Sequence, residues 1–119
     1  MCNLVELKNG HYVADIKLRH IENISEQASK CKNIDRVILF GSAIEDRCTD
    51  ESDIDIAVFG KMSKNRYLGT GEFRKFQDNL FSYDLAQDYD ILYFEDGHNH
   101  ADGIINNINQ GIEIYRRAI

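Results

Sequence analysis

A glycine–serine pair, ten residues, then two aspartates one residue apart: Gly41-Ser42 followed by Asp53-Ile54-Asp55 constrains this chain more than any other feature. The pair directly follows the apolar run Val37-Ile38-Leu39-Phe40, and the aspartates open a second one, Ile54-Ile56-Ala57-Val58-Phe59. Short apolar runs bounded by turn residues read as buried strands. The pattern predicts a strand, a tight turn, a short connection and a second strand whose start carries two carboxylates. Side chains at i and i+2 of a strand share a face, so Asp53 and Asp55 are expected to project together. Two convergent carboxylates repel unless a cation lies between them. A solvated strand end leaves that repulsion unanswered, whereas a hard divalent ion answers it, because Mg²⁺ takes oxygen ligands from one or two carboxylates plus substrate phosphates.

The remaining pattern supplies the other layers. Asn9-Gly10, between Val5-Glu6-Leu7 and Tyr12-Val13-Ala14, is a hairpin signal. Leu18, Ile21, Ile24, Ala28 and Cys31 recur at helical spacing and predict an amphipathic helix to about Asn33. The core strands are expected from Arg36 to Phe40 and from about Asp53 to Phe59, with a short helix over 43–48 between them. Lys61 to Thr70 reads as a polar loop. Phe73, Phe76, Leu80 and Phe81 predict a second helix, Ile91 to Phe94 a third strand, and Ile104, Ile105, Ile108 and Ile112 a final helix. The expected class is α/β or α+β, a small mixed sheet flanked by helices.

Length and charge narrow the function. A chain of 119 residues is expected to form one domain. A net charge of −6 argues against a duplex nucleic-acid surface, which needs a basic stripe, but suits a metal–nucleotide substrate. No apolar stretch reaches the length of a membrane span, and the N-terminus lacks the layout of a signal peptide, so a cytoplasmic protein is expected. Cys2, Cys31 and Cys48 are widely spaced, without a CxxC pair, and read as ordinary thiols. Gly69-Thr70-Gly71 lacks the preceding strand and third glycine of a dinucleotide loop. His98 and His100 read as a solvated turn.

The segments Leu39-Phe40-Gly41-Ser42 and Ser52-Asp53-Ile54-Asp55-Ile56 resemble the signature of the polymerase-beta-type nucleotidyltransferases. The resemblance spans about residues 20–117, ending in Asn109-Gln110-Gly111-Ile112-Glu113-Ile114-Tyr115, and is nearest to the minimal, single-domain branch known as MNT proteins. It implies a polymerase-beta-like fold and an Mg²⁺-dependent nucleotidyltransferase (EC 2.7.7-type). Such an enzyme moves a nucleoside monophosphate, AMP from ATP or its counterpart from another NTP, to a hydroxyl. Two metal ions are implied, Mg²⁺ with Mn²⁺ able to substitute, because a pair roughly 3.5–4 Å apart stabilises attacking and leaving oxygens together. Asp53 and Asp55 would bind both. Asp90, at the start of the third strand and followed by Ile91, is the expected third ligand, with Asp88 and Asp84 as rivals. Gly41 and Ser42 would hold the triphosphate, Gly by close backbone approach and Ser by its hydroxyl and N–H.

One departure stands out. Many relatives carry Arg and then Gly shortly after the Gly-Ser pair, where this chain has Ala43-Ile44-Glu45-Asp46. Arg47 is the expected substitute for the lost cation, with Lys61, Lys64 and Arg66 as further candidates. The minimal branch further implies a protein partner, a HEPN-type helical toxin whose tyrosine is adenylylated by its MNT antitoxin. The missing Arg-Gly keeps a second reading open, a catalytically weak or inactive binding module that neutralises its partner by contact. An RNA-end transferase is disfavoured by the acidic charge.

Overall fold

The computed structural model describes residues 3–7, 10–45, 48–96, 108 and 110–117. Arg47, Cys2, His98, His100, Ile104 and Ile105 lie outside the described residues. The chain opens with β1 (Leu4–Glu6) and β2 (Tyr12–Ala14), an antiparallel pair in which Val5 faces Val13. The expected hairpin is present, and Gly10 takes φ +87° in its turn.

A 3-10 turn over Asp15–Lys17 leads into α1 (Leu18–Ser29), which buries Ile21, Ile24 and Ala28. The helix stops four residues before the expected Asn33. Lys30 and Cys31 donate to Gln27 and Ala28 carbonyls three residues back, and tightening of this kind closes a last turn. The amides of Lys32 and Asn33 then donate to the Glu72 carboxylate at 2.8 and 3.3 Å, which draws the chain away from the helix axis.

The central sheet has four strands in the order β5-β4-β3-β6. They are β3 (Arg36–Phe40), β4 (Ile54–Gly60), β5 (Tyr89–Glu95) and β6 (Ile112–Arg116). β3 is antiparallel to β4 and β6, while β4 and β5 are parallel, so the sheet is mixed as expected. The connection from β4 to β5 contains α2 (Lys64–Tyr67) and α3 (Gly71–Tyr83). α3 starts where Thr70 Oγ1 accepts from the Phe73 amide at 3.2 Å, an N-cap, and it buries Phe73, Phe76 and Leu80.

Two expectations are corrected here. The segment read as a loop holds α2, because Tyr67 is wholly buried and stacks on Tyr93 with ring centroids 4.8 Å apart. One apolar anchor among polar neighbours leaves no periodic signal. The expected final helix does not extend to Ile112, which begins β6 instead. Ile108 is helical and buried, but at Gly111 the backbone presses on β3 so closely that a Cβ would overlap the Leu39 carbonyl. Ile112-Glu113-Ile114-Tyr115 then alternates apolar and polar in the manner of a strand.

The two faces of the sheet differ. Ile54, Ile56 and Val58 of β4 point into the main core with Ile21 and Ile24 of α1 and Phe73, Phe76 and Leu80 of α3. Ala57 and Phe59 point the other way, into a smaller cluster with Phe40, Ile108, Ile38, Leu92 and Phe94. By alternation, Asp55 belongs to this second face. No helix among the described residues is long and apolar enough to cross a membrane.

Candidate active site

The Gly-Ser pair sits at the end of β3, the aspartates at the start of β4, and strand pairing sets them side by side. Phe40, the last residue of β3, is registered with Asp55, and Asp55 with Asp90 of β5. Asp90 is therefore the second residue of its strand and a direct lateral neighbour of Asp55. Asp88 precedes the strand, and its carbonyl accepts from the Ile54 amide at 3.0 Å. Asp84, the other rival, is bound elsewhere: it accepts from Arg19 at 2.8 Å. Asp53 lies one residue before β4 and is exposed, as is Asp90, while Asp55 between them is half-buried.

Gly41 has a structural need for being glycine. It takes φ +76°, the left-handed region that other residues rarely adopt. A Cβ at that position would overlap Asp55 Oδ2. The carboxylate thus rests directly against the glycine, and the pair form one unit. Of the helix expected over 43–48, Ala43 and Ile44 belong to a single 3-10 turn, Gly41–Ile44, closed by the Glu45 amide donating to the Ser42 carbonyl at 3.0 Å, and Asp46 and Arg47 lie outside the described residues. So short a turn supplies little of the partial charge that a full helix N-terminus would add.

Burial is the main cause that pushes the Asp55 carboxyl above its usual range, followed by the negative charges of Asp90 and then Asp53. Asp55 thus feels the charge of both neighbours. Yet among the described residues no three His, Cys, Asp or Glu side chains are already closed around a point as a finished ion site. The two facts are compatible: the carboxylates share one end of the sheet without converging. Three oxygen donors with no His or Cys suit a hard cation, and an incomplete protein cage suits Mg²⁺, which keeps waters or phosphate oxygens as its other ligands.

The substitute cations are placed unequally. Lys61 follows the far end of β4, about 17 Å along the strand from Asp55 at ~3.3 Å per residue. There it lines a polar pocket with Asp35, Arg36, Asp96, Arg116 and Arg117, so it does not belong to the Gly-Ser turn. Lys64 and Arg66 are on α2, beyond that same end. A larger groove of ≈ 510 Å³ runs beside α1, lined by Leu7, Leu18, Ile21 and Ile114, and none of the three aspartates lines it.

Among the tyrosines, Tyr67 and Tyr89 are core, whereas Tyr83 is 46% exposed and its near neighbour Leu85 is 88% exposed. Both stand on the approach to β5. Two buried polar residues at the site had no counterpart in the sequence pattern. The Lys17 ammonium and the Gln87 amide lie between the loop that precedes Asp53 and the loop that precedes Asp90.

Comparison with known proteins bears on the family and the fold. Residues 22–119 match the family described as "Polymerase beta, Nucleotidyltransferase". A crystal structure of a candidate nucleotidyltransferase from Sulfolobus solfataricus superimposes with a TM-score of 0.50 at 20% sequence identity. The match covers 87% of this chain and 86% of that one, a likeness of fold. No curated protein sequence matches the chain.

Proposed function

The chain belongs to the polymerase-beta-type nucleotidyltransferase family, and from that premise we propose that it transfers AMP from ATP to a hydroxyl with divalent metal held by Asp53, Asp55 and Asp90. The observation that carries the reading is the row Gly41–Asp55–Asp90, in which a half-buried carboxylate stands beside a like charge with burial and repulsion both raising its proton affinity. Such an arrangement is unfavourable by itself and becomes favourable when a cation joins it.

Bound Mg²⁺ would supply Lewis-acid stabilisation of the α-phosphorus and of the departing pyrophosphate. Asp53 and Asp55 hold the triphosphate side of the site in this reading, and Asp90 the side of the acceptor hydroxyl. A bond would form from the acceptor oxygen to the α-phosphorus while the proton of that hydroxyl passes to a carboxylate oxygen of Asp90. The bond from that phosphorus to its β-bridging oxygen breaks, and pyrophosphate leaves with the electron pair. Ser42 offers its hydroxyl and N–H to the phosphates, and Gly41 keeps the surface beside Asp55 low enough for them to approach. Arg47 is the proposed substitute for the cation that relatives carry after the Gly-Ser pair.

The proposed acceptor is a hydroxyl on a partner protein, in the role of an MNT antitoxin acting on a HEPN-type toxin. A protein acceptor is supported by the exposed Tyr83 and Leu85 on the segment that leads into Asp90. The contact-only alternative is favoured by one observation, Glu45 in the turn directly after Gly41 and Ser42. Incubation with Mg²⁺, α-labelled ATP and a HEPN-type partner separates the two. Label on the partner supports transfer, and a stable unlabelled complex supports neutralisation by contact.

A further inference from the structure

Lysine is almost never fully buried without a partner, and Lys17 is 1% exposed. Its ammonium has three donors, and three oxygens receive them: the Asp50 carbonyl at 3.2 Å, the Ser52 carbonyl at 2.8 Å and Gln87 Oε1 at 2.5 Å. None is a carboxylate. Gln87, itself buried, uses its Nε2 to donate to the Ser52 carbonyl at 3.1 Å and the Asp88 carbonyl at 2.7 Å.

These five bonds act on particular peptides. The Ser52 carbonyl belongs to the peptide whose nitrogen is that of Asp53. The Asp88 carbonyl belongs to the peptide joining Asp88 to Tyr89, one residue short of Asp90. Asp53 lies outside β4, so strand pairing does not fix its direction. The Lys17–Gln87 pair holds the peptide that precedes Asp53 and, together with the Ile54 amide that donates to the Asp88 carbonyl, ties it to the start of β5. A buried charge commonly adds no stability over an apolar residue of similar size, which leaves the arrangement of the two loops as the reason for its use here.

We propose that Lys17 and Gln87 are positioning residues for the carboxylate set, locking the Ser52–Asp53 and Asp88–Tyr89 peptides so that the three acids can share divalent metal. This rests on the metal-dependent reading above. Outer partners of metal ligands typically change affinity by roughly 10–100-fold, and a loss of that size is expected here.

The test is Mn²⁺ binding in the presence of ATP, followed by the spin-resonance signal of free Mn²⁺, with melting as the control for folding. Gln87→Glu keeps an acceptor for Lys17 but has no amide to donate to either carbonyl. It should melt cooperatively near the parent temperature, bind Mn²⁺ roughly tenfold or more weakly, and raise the metal concentration for half-maximal transfer by the same factor. Lys17→Met should weaken binding at least as much. If it does not fold, Gln87→Glu carries the test. Folded variants that bind Mn²⁺ as the parent does overturn the positioning role and leave the metal site standing. A parent protein that binds no Mn²⁺ overturns the metal reading, and the positioning role with it.

Discussion

The two ends of the central sheet treat their carboxylates in opposite ways. At the end where β4 finishes, Asp35 pairs with Arg117 at 3.2 Å and Asp96 with Arg36 at 3.4 Å. Arg36 also lies over the Phe59 ring, 4.3 Å from its centroid. At the end where β4 starts, Asp53, Asp55 and Asp90 share the edge of the sheet and none of the three has an ion pair among the described residues, and the Asp55 carboxyl is pushed above its usual range. A chain of net charge −6 holds 14 Lys and Arg residues, so cations were available. One end pairs its acids with arginines; the other turns its Lys17 ammonium to carbonyl and amide oxygens and its Arg19 to Asp84, and leaves Asp53, Asp55 and Asp90 without a cation partner among the described residues. The difference is what a site for an external cation requires.

The comparison breaks most visibly through the aspartates. Asp53→Asn or Asp55→Asn should lower transfer by at least about a hundredfold, on the order of losing one group that stabilises charge in the transition state. The same substitutions should leave the metal-free protein as stable or more so, because a repulsion is relieved. Labelled transfer and melting in chelator check both halves together. If the variants melt lower and still transfer, the carboxylates are structural.

The same repulsion should be visible in pH. Asp55 binds its proton more tightly folded than unfolded, so the folded state holds more protons between the two pKa values. Its contribution therefore favours folding at low pH and is lost as pH rises through the folded pKa. Metal-free protein should show this loss in the carboxylate range relative to Asp55→Asn, by paired melting curves. Identical pH dependences would show that Asp55 is not perturbed.

Next in size is a pair of glycines. Gly41→Ala adds a methyl group where Asp55 Oδ2 stands and does so at φ +76°, so about 1–3 kcal/mol of strain is expected together with loss of metal binding. Gly10→Ala, at φ +87° with nothing within 4 Å, should cost about 1–2 kcal/mol for its backbone alone and spare the site. Denaturant melts of both, with Mn²⁺ titration, separate steric displacement of Asp55 from simple backbone strain.

The far end should answer only in stability. Arg117 donates to the Cys31 and Ile34 carbonyls as well as to Asp35, so Arg117→Leu should cost about 1–3 kcal/mol through unsatisfied carbonyls. Arg36→Gln, removing a partly exposed ion pair, should cost less than about 1 kcal/mol. Neither should shift Mn²⁺ affinity. A tenfold shift in either would show that the two ends are coupled.

The unequal legibility of these regions in the sequence has physical causes. β3 runs from Arg36 to Phe40 as expected, because a four-residue apolar run, Val37 to Phe40, closed by the Gly-Ser turn has little alternative to a strand, and it buries Val37, Leu39 and Phe40. The motif that marks the site was local in sequence, and the register of β4 with β5 makes Asp90 the neighbour of Asp55. Lys17 was invisible because a lysine ahead of a helix reads as solvated, and its burial depends on carbonyls 33 and 35 residues away and an amide 70 away. Lys61 looked close to the motif in sequence, yet a seven-residue strand carries it to the opposite end. The isoleucines after Ile104 fitted a helical period, but close approach of Gly111 to Leu39 turns the chain into β6.

The proposed role of these three acids, holding a metal–nucleotide, is tested most directly by thermal melting. Mg²⁺ with ATP at concentrations about a hundred times the dissociation constant should stabilise the folded state by about 2.7 kcal/mol through mass action. ATP in chelator should do almost nothing, and Asp55→Asn should lose most of the metal-dependent rise. Equal melting temperatures with and without Mg²⁺–ATP, or an undiminished rise in Asp55→Asn, would contradict the account.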